Sequence, residues 1–195
     1  MLLMTEGPRP ALIWTTPNLV TFARLALIPL VCLLLALDNG MARFLAALLF
    51  AIAAATDWLD GWLARKYDQI SPLGRMLDPI ADKLLVALVL LMLAWQGTLG
   101  GWLIVPALAI LLREIFISGL REYLGAEQIV VHVTALAKWK TTIQLVAITL
   151  MILAPFGATI ALLALISLWL AALITLITGF EYMRGAWPHF SGEAP

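Results

Sequence analysis

Six long apolar runs set the main constraint on the fold of this chain. They cover residues 18–37, 42–65, 77–96, 102–123, 135–155 and 159–183. Each can cross about 30 Å of hydrocarbon as a helix that rises about 1.5 Å per residue. Hydrophobic residues make up 63% of the 195 positions and charged residues 12%. The sequence therefore predicts an all-α integral membrane protein with six transmembrane helices, a short N-terminal juxtamembrane segment and a single domain over residues 1–195.

The basic residues are unevenly distributed between the two ends of these spans. Eleven of the 12 lysines and arginines fall on the side that holds both termini, and only Arg43 falls on the other. Cytoplasmic loops of membrane proteins are enriched in lysine and arginine. We therefore expect a multi-pass protein of the cell inner membrane with both termini and the functional site on the cytoplasmic side. The formal net charge of zero gives no indication of nucleic-acid binding.

Four aspartates interrupt the apolar pattern: Asp57, Asp60, Asp78 and Asp82. On a helix the first two lie about 60° apart, and the last two, at positions i and i+4, share a face of the next helix. Residues 69–72 and Gly74 predict a turn between them, because a residue before proline disfavours helix and glycine permits unusual dihedrals. Two antiparallel helices would direct all four carboxylates toward each other.

The charge of this cluster predicts bound metal ions. Each ionised aspartate costs roughly 2.5–3.5 kcal/mol in the membrane on insertion scales, so the four need compensation. Carboxylate oxygens suit Mg²⁺, Mn²⁺ or Ca²⁺, and four negative charges match two divalent ions, an arrangement that favours phosphoryl displacement. The nearby sequence has no histidine or cysteine, which argues against zinc.

A second group of basic residues predicts a phosphate-binding site. Arg113 and Arg121 lie near the cytoplasmic end of the fourth span, Lys138 and Lys140 open the fifth, and Arg24 lies one turn into the first. Arginine binds phosphate through paired hydrogen bonds, and lysine binds it as a point charge. We therefore expect an acceptor with a phosphate of its own, although basic residues at these positions also serve as topology signals.

The spacing D-x₂-D-G-x₂-A-R-x₈-G-x₃-D-x₃-D, which runs from Asp57 to Asp82, resembles the signature of the CDP-alcohol phosphotransferase family. The resemblance implies transfer of a phosphatidyl or phosphoalcohol group from a CDP-linked donor to a hydroxyl group, with release of CMP. It also implies six transmembrane helices, two divalent ions (Mg²⁺ or Mn²⁺), a site on the cytoplasmic side and a homodimer.

The same resemblance implies roles for positions of the motif. Asp57, Asp60 and Asp78 correspond to metal ligands that hold the donor pyrophosphate. Asp82 corresponds to a general base that also touches the second metal. The small residues would let cytidine and ribose approach the backbone, and an arginine would lie near the pyrophosphate. The residues implied to bind CDP-diacylglycerol are Asp60, Gly61, Ala64, Arg65 and Gly74.

Residues 17–29, 113–124 and 138–142 resemble the branch of the family that uses glycerol 3-phosphate as acceptor. This branch makes phosphatidylglycerol phosphate, and the resemblance implies that the basic group binds the acceptor phosphate. Two alternatives stay open. One is the same chemistry with inositol phosphate, serine or a phospholipid as acceptor. The other is a divalent-cation transporter, although the outer halves of the third, fifth and sixth spans offer almost no polar groups for an ion path.

Overall fold

A computed structural model describes residues 15–37, 39–67, 71–129 and 135–191 of the chain. Of the side chains in these ranges, those of residues 16, 17, 57–67, 75 and 135–138 are not described. Every regular element in the ranges is helical. The six long helices are α1 (Thr16–Ala36), α2 (Gly40–Tyr67), α3 (Pro72–Trp95), α4 (Ile104–Ala126), α5 (Ala135–Leu153) and α6 (Ala158–Ser191). Short 3₁₀ turns at Gly101–Leu103 and Ala154–Phe156 precede α4 and α6.

Each long helix covers one of the six apolar runs, so the all-α prediction is confirmed. Residues 69 and 70 of the predicted turn lie outside the described residues, and the prediction is wrong at Pro72 and Gly74, because α3 already begins at Pro72. The Ser71 side chain caps this helix by accepting a hydrogen bond from the Gly74 N–H. Proline suits the first helical position, because an N–H group there would have no partner within the helix. The predicted N-terminal juxtamembrane segment lies outside the described residues.

Four stretches of the described chain are long and apolar enough to cross a membrane: Asn18–Ala36, Gly101–Ala126, Trp139–Phe156 and Ala158–Ser191. The described apolar part of α2, Gly40–Thr56, is shorter. α3 carries Asp78, Asp82 and Lys83 in its first half. The chain is therefore a helical membrane protein, and the two helices outside the set of four are those that carry the aspartate motif.

The bundle is held together by large apolar side chains that meet small ones. α1 packs against α2 and α3, and α5 lies between α2 and α6. Phe50 and Ile148 are fully buried in the core, where Ala164 and Ala171 give α6 a small-residue face. In a lipid bilayer the hydrophobic effect does not drive helices together, so their association depends on close van der Waals packing. Small residues allow the helix backbones to approach closely enough for such packing. The α5–α6 contact therefore depends on keeping that face of α6 small.

α6 is longer than a membrane requires. Its 34 residues span about 51 Å at 1.5 Å per residue, against about 30 Å of hydrocarbon. Its C-terminal part packs along α4 in a second apolar cluster, which contains Ile117, Leu124, Tyr182 and Ala186. The contact between α4 and α6 thus continues to the end of both helices, next to the polar side chains described below.

We expect Ala171→Leu to destabilise the bundle. Ala171 is fully buried in α6, and forcing extra methylene groups into a packed core costs about 1–3 kcal/mol. The thermal midpoint in detergent measures the effect. Ala161→Leu is the matched control, because Ala161 lies on the same helix and is exposed. Equal midpoints for the two variants would show that this face of α6 is not tightly packed.

Candidate active site

A cavity of about 280 Å³, called the polar cavity below, lies between α3, α4 and α5. Its charged lining residues are Asp82, Lys83, Arg113, Glu114, Arg121 and Lys140. Four are basic and two are acidic, so the lining has a formal excess of two positive charges. An excess of this size matches a phosphate dianion.

Glu114 joins two of the basic residues. Its Oε1 accepts a hydrogen bond from Nη1 of Arg113 at 3.2 Å and a short one from Nζ of Lys140. The Lys140 and Arg113 side chains are only 7% and 10% exposed. A buried cation without a partner is strongly unfavourable, so the Glu114 carboxylate stabilises both of them in the cavity wall.

The two arginines are also held from α6. Nη2 of Arg113 donates to Oγ1 of Thr178 at 3.3 Å. The guanidinium carbon of Arg121 lies 5.6 Å from the ring centroid of Tyr182, which is a cation–π contact. The structure therefore brings Arg113, Arg121 and Lys140 together, as the sequence predicts. The backbone of Lys138 lies in α5, two residues before Lys140. The side chain of Lys138 is outside the described set.

Asp78 and Asp82 lie one turn apart on α3, as the sequence predicts. Asp78 Oδ1 accepts a hydrogen bond of 2.5 Å from the Thr21 hydroxyl of α1. Asp82 lines the polar cavity. Thr21 is a residue that sequence reasoning missed, because nothing in the periodicity of α1 indicates which of its polar side chains meets α3.

The other half of the aspartate motif lies in α2. The helical backbone places Asp57 and Asp60 in its last third, together with Gly61, Ala64 and Arg65. The side chains of these five residues lie outside the described set, so their convergence with Asp78 and Asp82 stays a prediction. Among the described side chains, no group of three or more acidic, histidine or cysteine residues is arranged to hold a metal ion.

The donor set nevertheless fits a hard divalent cation. Asp78 carries a carboxylate whose Oδ1 is oriented by the Thr21 hydroxyl, and oriented carboxylates are the ligands that Mg²⁺ and Mn²⁺ prefer. Asp82 follows one turn later on the same helix. The α3 part of the motif is therefore chemically suited to metal binding.

Arg24 does not line the polar cavity with the other basic residues, in contrast to the prediction from the sequence. It is buried at 1% exposure, and its Nε donates to Oγ1 of Thr56 at 3.4 Å. Thr56 immediately precedes the aspartate motif of α2. Arg24 is not among the residues that line the polar cavity. The described structure thus associates this arginine with the α1–α2 contact rather than with Arg113 and Lys140.

Gly74 lies at a close approach between α1 and α3. A Cβ atom at this position would lie 2.6 Å from Oδ1 of Asn18. The same Oδ1 accepts a 2.7 Å hydrogen bond from Ser71, the residue that caps α3. Helix packing is therefore a sufficient physical reason for glycine here, in addition to the nucleotide-binding role implied by the family motif.

An apolar cavity of about 270 Å³ adjoins the polar one. The two share four lining residues, namely Asp82, Lys83, Glu114 and Thr141. Beyond them the apolar cavity continues between leucines of α3, α4 and α5, which are Leu84, Leu111 and Leu145. Together the two cavities suit a reaction that joins a charged group to a molecule with an apolar part.

These features define a helical membrane protein in which a cavity with an excess of positive charge adjoins an apolar cavity. The family model described as CDP-alcohol phosphatidyltransferase matches residues 14–177. The chain belongs to the CDP-alcohol phosphatidyltransferase family, which confirms the resemblance carried by the aspartate motif.

Three similar proteins carry the name CDP-diacylglycerol–glycerol-3-phosphate 3-phosphatidyltransferase. The one from Rickettsia bellii is 43% identical over 177 residues, which cover 89% of this chain and 96% of the relative. The one from Cereibacter sphaeroides is 38% identical over 218 residues, with 92% and 99% covered. The one from Bacillus subtilis is 36% identical over 185 residues, with 88% and 94% covered.

We expect Gly74→Ala to destabilise the protein by about 1–3 kcal/mol, because the new methyl group would overlap Asn18. Asn18→Ala removes the overlapping oxygen, so the double variant should lose less stability than the sum of the single variants. Thermal midpoints of the four proteins measure this coupling.

Gly119→Ala in α4 is the control for this experiment, since a Cβ atom there meets nothing within 4 Å. A Gly74→Ala protein as stable as Gly119→Ala would contradict the packing explanation.

Proposed function

We propose that the protein transfers the phosphatidyl group of CDP-diacylglycerol to glycerol 3-phosphate, which yields phosphatidylglycerol phosphate and CMP. The observation that carries this proposal is the polar cavity, in which a carboxylate, Asp82, lies with an excess of two positive charges. A phosphorylated alcohol needs both features. Its phosphate needs cations, and its hydroxyl needs a proton acceptor.

The phosphate of the acceptor would bind to Arg113, Arg121 and Lys140, with Lys138 as a further basic residue of the predicted group. The described cations are already oriented: Glu114 holds Arg113 and Lys140, and the Tyr182 ring lies under Arg121. Oriented donors lose less conformational entropy when a ligand binds. This arrangement supports an acceptor with a phosphate. Serine, which carries an ammonium group, would meet like charge.

Asp82 would act as general base for the attacking hydroxyl. The hydroxyl oxygen forms a bond to the phosphorus of the phosphatidyl group, and the bond from this phosphorus to the bridging pyrophosphate oxygen breaks. The electron pair of that bond leaves with CMP, and the proton of the hydroxyl passes to the Asp82 carboxylate. The position of Asp82 in the wall of the same cavity supports this role.

Asp57, Asp60, Asp78 and Asp82 would hold two divalent ions, Mg²⁺ or Mn²⁺. When bound, such ions neutralise charge on the pyrophosphate. Thr21 would keep Asp78 in one orientation through its 2.5 Å hydrogen bond. The CDP part of the donor would bind along Asp60, Gly61, Ala64, Arg65 and Gly74, and the apolar cavity would accept part of the diacylglycerol.

We further propose that all six helices span a bacterial inner membrane and that both termini and the site face the cytoplasm. We also propose that the protein is a homodimer and that residues 1–195 form one domain. The distribution of basic residues supports the orientation. The aspartate motif explains why α2 and α3 carry more charge than a typical membrane-spanning helix, since both helices would contribute its carboxylates to the site.

We expect the purified protein with Mg²⁺ to release CMP only when CDP-diacylglycerol and glycerol 3-phosphate are both present. Asp82→Asn should lower kcat by about 10²–10⁴, the range for loss of a positioned base. The measurement is CMP release. Glu122→Gln is the matched control, because Glu122 is an exposed carboxylate of α4.

The same assay with inositol phosphate, serine and glycerol as acceptors tests the acceptor assignment. Faster CMP release with any of these than with glycerol 3-phosphate would refute that assignment. Full activity of Asp82→Asn would refute the base. Metal flux into vesicles without CMP release would favour the transporter instead.

We expect Lys140→Met to raise the KM for glycerol 3-phosphate about tenfold or more, because a hydrogen bond to a charged group contributes about 1.5–3 kcal/mol. The KM for CDP-diacylglycerol should change little. Arg184→Met removes an exposed charge from α6 and is the control. Equal rises in the KM for both substrates would contradict phosphate binding by Lys140.

A further inference from the structure

The family model ends at residue 177, but α6 continues to Ser191. We call residues 178–191 the C-terminal extension of α6. Its buried residues, Thr178, Gly179, Tyr182 and Ala186, lie at positions i, i+1, i+4 and i+8 and form one face of the helix. This face packs on α4, the helix that carries Arg113 and Arg121. The extension therefore lies behind the wall of the polar cavity.

Thr178 is oriented to accept a hydrogen bond from Arg113. Its hydroxyl has one proton, and the oxygen lies 2.9 Å from the carbonyl oxygen of Ile174, to which it donates. The oxygen lone pairs are then available to Nη2 of Arg113 at 3.3 Å. Since Nη1 of Arg113 bonds to Glu114, the guanidinium is fixed from two sides.

Gly179 allows Arg113 to lie against the backbone of α6. A Cβ atom at Gly179 would lie 2.9 Å from Cγ and 3.2 Å from Nε of Arg113. Cγ is near the base of the arginine side chain and cannot move far without a shift of α4. The missing side chain at Gly179 and the hydroxyl of Thr178 thus act on the same arginine.

Tyr182 acts on the second arginine. It follows Thr178 by one helical turn, and its ring lies 5.6 Å from the guanidinium carbon of Arg121. Tyr182 is buried at 8% exposure, whereas Arg121 is exposed at the edge of the cavity. A buried ring beneath an exposed guanidinium limits the conformations of a side chain that otherwise has about 2 kcal/mol of rotamer entropy.

We propose that Thr178 and Tyr182 are positioning residues that hold Arg113 and Arg121 for the phosphate of the acceptor. This inference rests on the proposed function and assigns part of its acceptor specificity to the C-terminal extension of α6. Neither residue touches the reacting atoms. Each acts through one arginine, so its loss should weaken acceptor binding and leave the donor site unchanged.

The experiment measures kcat and the KM for each substrate in the full-length protein. Tyr182→Leu should raise the KM for glycerol 3-phosphate about two- to fivefold, which corresponds to loss of an exposed cation–π contact. Thr178→Val should raise it about two- to tenfold, which corresponds to loss of one hydrogen bond. The KM for CDP-diacylglycerol and kcat should stay within twofold of wild type.

Conservative variants and distant variants provide the controls. Tyr182→Phe keeps the ring and Thr178→Ser keeps the hydroxyl, so both should behave as wild type. Trp187→Leu and Thr159→Val are matched substitutions at exposed positions of α6. Thermal midpoints identify a folding defect. If Tyr182→Leu does not fold, the smaller change Thr178→Val decides the outcome.

An active wild type with an unchanged KM for glycerol 3-phosphate in Tyr182→Leu and Thr178→Val would overturn this inference alone. A parallel rise in the KM for both substrates would also overturn it, because that result indicates a general structural role. Absence of CMP release by the wild type with glycerol 3-phosphate would overturn the proposed function and the inference with it.

Discussion

The carboxylate of Glu114 stabilises two buried cations inside this helical bundle. One of its oxygens bonds to Arg113 on its own helix and to Lys140 on α5. α4 and α5 both pack on α6, and the ion pair joins them across the polar cavity. Removing one member of a buried ion pair is strongly destabilising, because it leaves the other charge unpaired. The two buried cations in the cavity wall therefore depend on the carboxylate of Glu114.

α1 has a comparable role for the aspartate motif, although it contributes no residue to it. Thr21 bonds to Asp78 on α3, and Arg24 bonds to Thr56 on α2. Asn18 adds a contact with Ser71 at the start of α3. Polar side chains on one face of α1 thus fix both helices that carry the motif. In the membrane these hydrogen bonds also satisfy polar groups for which lipid tails offer no hydrogen-bond partner.

The sequence predicts the parts of this structure that depend on local periodicity. Apolar runs locate all six helices, and the i, i+4 spacing places Asp78 and Asp82 on one face of α3. Arg113 and Arg121 are predicted to lie on one side of α4, because they are eight residues apart on the same helix. The positive-inside rule supplies an orientation but does not say which basic residues share a cavity.

Contacts between helices are less accessible to such reasoning, because they depend on how the helices pack and not on spacing along one of them. The sequence predicts Arg24 beside the other basic residues, but this arginine bonds to Thr56 of α2. Tyr182 carries no motif signal, and only the packing of α6 on α4 brings its ring beneath Arg121. Gly74 belongs to a recognisable motif, yet its close approach to Asn18 is visible only in three dimensions.

The polar and apolar cavities share four lining residues, whereas six other residues line only the polar cavity and eight line only the apolar one. A water-soluble acceptor and a lipid donor can therefore occupy separate volumes at the same time. Under the proposed function, this arrangement favours direct transfer in a ternary complex, without a stage in which the protein itself carries the lipid. Hydrolysis of the donor is then limited by occupancy of the neighbouring volume, since a bound acceptor takes the place of water at Asp82.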